Sequence, residues 1–91
     1  MTDPTARYAP ADSISWNDAG ETLVLFDGES GGYFALNGAA VAIWRELAAG
    51  RSPDEAAHAL AERFDAPHDA VAADIAAFVR DALDRRLLVA R

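Results

Sequence analysis

Few side chains in this sequence have types and spacing that could do chemistry. The only histidines are His58 and His68, ten positions apart, and no cysteine accompanies them. A metal centre needs three or four converging N, O or S ligands, often two of them on one helical turn. His58 lies in an alanine-rich helical stretch, EAAHALAERF, and His68 opens the following helix beside Asp69. Both read as surface or helix-start residues, so the sequence predicts no tight metal site and no resident cofactor.

Gly28-Glu29-Ser30-Gly31-Gly32 looks like the glycine-flanked serine of a hydrolase or a loose phosphate loop. A serine nucleophile needs a histidine base and an orienting carboxylate in register. A phosphate loop needs its Lys-Ser/Thr pair, and the chain has no lysine. Between two strand-like runs the segment reads as a turn, its glycines supplying positive φ. No catalytic residues emerge, and the chain is not expected to be an enzyme.

The elements that would position any site come from a short chain. Its 91 residues suit one core, with a radius of gyration of roughly 12 Å. Fifteen acids against eight basic residues, every one of them arginine, leave a net charge of −7. That balance speaks against binding a polyanion as the main task. No apolar run approaches the roughly 18–20 residues that cross a bilayer, and MTDPTARYAP has no apolar signal region. With the lack of cysteine, these features predict a cytoplasmic protein without a membrane partner.

Composition changes near residue 37. Residues 1–37 hold five of the 22 alanines and one arginine; residues 38–91 hold seventeen alanines and seven arginines. The first part is strand-like and the second helical, since alanine favours helix over strand. Residues 1–11, with Pro4 and Pro10, read as a flexible N-terminal tail, leaving 12–91 as the domain. Ser13–Trp16 alternates polar and apolar, Asn17–Gly20 is a turn, and Glu21–Asp27 is a second strand. After the glycine turn, Gly32–Leu36 is a third, giving an antiparallel meander.

Asn37 is placed as the N-cap of a first helix over Gly38–Ala49, with Ala40, Ile43, Trp44 and Leu47 as its stripe. Ser52-Pro53-Asp54-Glu55 is a capping box that starts a second helix burying Ala56, Leu60 and Phe64. A third helix over His68–Arg85 gathers Val71, Ile75, Phe78, Val79 and Ala82 within about a 100° arc. The order predicts an α+β, winged-helix-like domain: a three-stranded antiparallel sheet followed by three helices. The third strand has neither proline nor charge, the usual guards of an edge. Such an edge is either covered or meant to accept another strand.

These residues carry a family resemblance. Residues 25–44, LFDGESGGYFALNGAAVAIW, resemble the core of the PqqD-like family, a Gly-x-Tyr-x-x-Leu-Asn strand end running into a helix that closes on Ile-Trp. Gly50–Ala56, Phe64-Asp65, Asp74–Val79 and Leu83–Leu88 resemble the family's later turn, last helix and closing residues, so the likeness spans roughly 12–89. The resemblance implies a non-catalytic peptide-recognition element of modified-peptide biosynthesis. Its partners would be a precursor leader peptide and a modifying enzyme, whether radical SAM enzyme, protease or cyclase. By the same resemblance, the leader adds as a strand to Gly32, Tyr33, Phe34, Ala35 and Leu36. The groove wall would be Val71, Asp74, Ile75, Phe78 and Val79. Where the pyrroloquinoline quinone member has a Tyr-Pro-Glu-Gly turn, this chain has Phe26-Asp27-Gly28-Glu29-Ser30-Gly31-Gly32. A lasso-peptide or other modified-peptide pathway is therefore open to it.

Strand addition gains main-chain hydrogen bonds with any peptide, so selectivity must come from pockets beside the edge. Asp74 and Asp81 flank the apolar arc of the third helix on one side, which would suit a leader with an apolar anchor and a nearby basic residue. The rival reading is a winged-helix DNA-binding protein or another small interaction module. DNA binding needs a basic recognition helix, whereas the third helix carries Asp69, Asp74, Asp81 and Asp84 against Arg80 before its end. No basic residue lies between Tyr8 and Trp44, and no nucleic-acid partner is expected.

Overall fold

A computed structural model describes residues 5–91. Its elements run β1 (Tyr8–Pro10), β2 (Ile14–Asp18), β3 (Thr22–Asp27), β4 (Tyr33–Asn37), α1 (Ala39–Ala48), α2 (Pro53–Arg63), α3 (His68–Asp84) and β5 (Leu88–Ala90). The meander and three helices follow the expected α+β order, with a sheet ordered β2-β3-β4. Leu23 and Leu25 of β3 point into the core opposite Leu36 and Phe34 of β4. Val24 and Phe26 face the other way, with Phe26 against the Tyr33 ring at 5.0 Å. On the inner side Trp44 of α1 is fully buried, its ring edge-on to Trp16 of β2 at 5.5 Å.

One element differs from the sequence reading. Residues 8–10, read as part of a tail, form β1 and pair antiparallel with β5. The register explains why Pro10 is accepted. Ala11 N–H donates to the Leu87 carbonyl and Arg91 N–H to the Arg7 carbonyl, so the alternation turns residue 10 away from its partner. Its missing N–H then costs no ladder bond. Tyr8 is buried in the core, and Arg7 pairs with Glu55 at 2.7 Å. Residues 1–4 of the expected tail lie outside the described residues.

Three local details also differ. Asn37 does not cap α1: it stays in β4 opposite Thr22, and Gly38 turns the chain with φ 59° and ψ −135°. Only glycine holds that conformation cheaply. Asn17 and Asp18 continue β2 instead of turning. Phe64, expected in the core, is 56% exposed, because α2 stops at Arg63 and the chain reverses through Asp65 at φ 51°. The capping box of α2 forms as expected, Ser52 Oγ accepting from Glu55 N–H while Ser52 N–H donates to Glu55 Oε1. Among the described residues no helix is long and apolar enough to cross a membrane.

Candidate functional site

The outer edge of β4 follows from its hydrogen-bond phase. Asp27 N–H donates to the Gly32 carbonyl, so Gly32 faces β3. In an antiparallel ladder every second residue does the same. Phe34 and Leu36 therefore bond to β3 opposite Leu25 and Leu23, while Tyr33, Ala35 and Asn37 aim their N–H and C=O groups outward. No described strand pairs with that edge, since β4 ends its sheet. The turn before it is stiff. Asp27 accepts from Glu29 N–H and from the Ser30 hydroxyl, and Ser30 Oγ in turn accepts from Gly32 N–H. Those bonds, led by the one from Glu29, hold the Asp27 carboxyl below its ordinary range. The serine of the glycine segment is thus a turn residue.

Beside this edge runs a groove of about 420 Å³ between β4 and the C-terminal half of α3. Phe34, Leu36 and Phe78, all half-buried, give it apolar walls, with Ala82 and Leu87 behind them. Tyr33 stands at its mouth, 72% exposed. Asp81 and Arg85, one turn apart on α3, supply the charge, and the Arg85 guanidinium lies 5.8 Å from the Phe34 ring centre. Cation and ring attract at that distance.

The structure brings only part of the expected wall to this place. Phe78 lines the groove with Tyr33, Phe34, Ala35 and Leu36. Gly32 starts the strand from the turn. Ile75 and Val79 are 0% exposed and belong to the core, and Val71 packs against that core from its edge. Asp74 is exposed and does not line the groove; Asp81 does. Two helical turns separate those aspartates, about 10 Å along the axis. A helical wheel gives the face of a residue but not its height, and β4 meets only the later part of α3. Arg85 and Ala40 were missed as lining residues, and Arg85 carries no signal of its own at the end of a helix.

Two further features were not legible. His58 and His68 come together, their ring centres 4.4 Å apart. The reversal at residues 64–67 lays α3 back along α2, which corrects their reading as separate surface residues. At the other end of the sheet a wider cleft of about 800 Å³ lies among Glu21, Gly38, Val41, Arg45 and Phe64. Arg45 is fixed there, its Nε 2.6 Å from Asp18 Oδ2. That cleft has no free strand edge beyond Asn37.

The sequence and fold now place the chain. Residues 22–88 match the family described as Coenzyme PQQ synthesis protein D (PqqD), and the chain belongs to that family. No curated protein matches it. Among solved structures it is similar to TbiB1 in complex with the TbiA(beta) leader peptide, at 25% identity and TM-score 0.83 over 88% of this chain and 93% of that one. It is also similar to lasso peptide synthetase B1 complexed with the leader peptide, at 30% identity and TM-score 0.84 over 92% and 99%.

Proposed function

We propose that this protein is a leader-peptide recognition element. It holds the leader of a ribosomally made precursor as an added strand on β4 and presents it to a modifying enzyme. The observation that carries this is the open edge of Tyr33, Ala35 and Asn37 lying directly beside an apolar groove. An added strand satisfies those main-chain groups, while the groove takes an alternate side chain. Both similar structures hold a leader peptide, and the chain covers almost all of each. The likeness to lasso peptide synthetase B1 favours a lasso-type pathway, where the enzyme served would be a protease or cyclase rather than a radical SAM enzyme. Binding and presentation require no catalytic residue of this chain.

Duplex DNA is the less fitting partner. Asp69, Asp74, Asp81 and Asp84 are all exposed on α3, and phosphate would meet them at close range. The deciding experiment looks for a short precursor reading frame beside the gene, titrates the intact protein with its synthetic leader by calorimetry, and follows amide exchange by NMR. The expected result is saturable 1:1 binding, with exchange slowed at Tyr33, Ala35 and Asn37. Failure of the leader to bind, with a salt-sensitive shift of duplex DNA instead, would overturn the reading.

A further inference from the structure

Asp54 and His58 lie one turn apart on α2, with Asp54 Oδ1 3.9 Å from His58 Nε2. His68, the first residue of α3, stacks on His58 at 4.4 Å with a 42° tilt. One ligand atom from each of the three lies within 4.8 Å of the other two. The arrangement is built by local structure. Ser52 and Pro53 fix the start of α2, so positions 54 and 58 share a face. The reversal through Asp65 then returns the chain so that α3 begins beside them.

The Nε2 of His68 is shut off from solvent and has no hydrogen-bond partner among the described residues. The nearest carboxylate to the other ring nitrogen, Asp69, is 4.0 Å away. None of Asp54, His58 and His68 lines the groove at β4.

We propose that Asp54, His58 and His68 form a binding site for a borderline divalent metal ion of the zinc class, which ties α2 to the start of α3. Two imidazoles and one carboxylate suit Zn²⁺ or Co²⁺, whereas Mg²⁺ and Ca²⁺ take all-oxygen sets. Water completes the tetrahedron. Zinc bonds of about 2.0–2.1 Å put ligand atoms about 3.4 Å apart, so the cluster closes by about 1 Å on binding. Asp54 and His58 are exposed and free to make that movement. The site takes one ring nitrogen from each histidine, and the net charge of −7 draws cations toward the protein.

The test uses untagged, chelator-stripped full-length protein titrated with Co²⁺ and read by visible absorption. One equivalent should give the intense bands of a tetrahedral ion; Zn²⁺ should bleach them, and Mg²⁺ or Ca²⁺ should not. Zn²⁺ should also raise the melting temperature. His58→Gln and His68→Gln should each weaken Co²⁺ binding by about tenfold or more and remove the melting shift. His58 is exposed, so H58Q decides the matter alone if H68Q does not fold by circular dichroism. No saturable binding, or binding that survives H58Q, would overturn the proposal.

Discussion

Tyr33 and Phe34 are neighbours on β4, yet their main-chain amides point to opposite edges: Phe34 toward Leu25 of β3, Tyr33 away from the sheet. The phase that sets this comes from the Asp27–Gly32 bond at the turn, which the stiff Asp27–Ser30 network holds in place.

That opposition yields a paired prediction. Tyr33→Pro removes one outward N–H and leaves the ladder whole, so the protein should fold while its leader affinity falls by about 1 kcal/mol. Phe34→Pro removes a donor from the ladder and leaves the carbonyl of Leu25 without its partner, costing roughly 1–3 kcal/mol of stability. Calorimetry with circular dichroism reads both. Loss of fold in Tyr33→Pro with none in Phe34→Pro would mean that the edge assignment is inverted.

The meander, the three helices, the α2 capping box and the apolar face of α3 were legible because each rests on local pattern: alternation, caps and a 3.6-residue period. What was not legible depended on contacts distant in sequence. Pro10 looked like tail because nothing local shows that its missing N–H faces away from β5. His58 and His68 looked separate because their meeting depends on where the chain reverses after Arg63. The resemblance implies Asp74 for the groove wall and periodicity puts Asp74 and Asp81 on one flank, whereas the level at which β4 crosses α3 comes from the packing of the whole sheet.

The strand role of residues 8–10 has a direct consequence. Tyr8 is buried among core residues and β1 is held to β5, so Tyr8→Ala should cost about 3 kcal/mol. Urea denaturation measures it. A loose tail would give no change in midpoint.

Acid should loosen the protein in a defined window. Glu55 is held down to about 2 from its ordinary 4.5, first by the Arg7 guanidinium and then by Ser52 N–H. Asp18 is held to about 2 from 3.8, first by Arg45 and then by Gly20 N–H. Lowered values in the folded state favour folding above the unfolded values, and that advantage is lost as pH falls. Melting temperature should therefore hold above about pH 5 and drop between about 4.5 and 2. Both pairs are exposed, so added salt should shrink the drop. Arg7→Gln with Arg45→Gln should flatten it further. A profile unchanged in that double variant would assign the acid sensitivity to other carboxylates.

The charge that selects a leader can be located by moving one substitution two turns along α3. Asp81 lines the groove beside Phe78 and Arg85, whereas Asp74 points to solvent outside it. A leader whose apolar anchor enters between Phe34 and Phe78 brings its neighbouring residue up against Asp81. If that residue is basic, Asp81→Arg should weaken binding by about 1–2 kcal/mol, because like charges then meet in a partly desolvated space. Asp74→Arg adds the same charge to the same helix and should leave affinity unchanged, which controls for the general field of the protein. Phe78→Ala should weaken leaders of any charge, since it removes the apolar wall itself. Titration of one leader against the three variants, with circular dichroism to confirm folding, separates these effects. Loss of binding in Asp74→Arg with none in Asp81→Arg would put the peptide at the N-terminal half of α3, away from the groove.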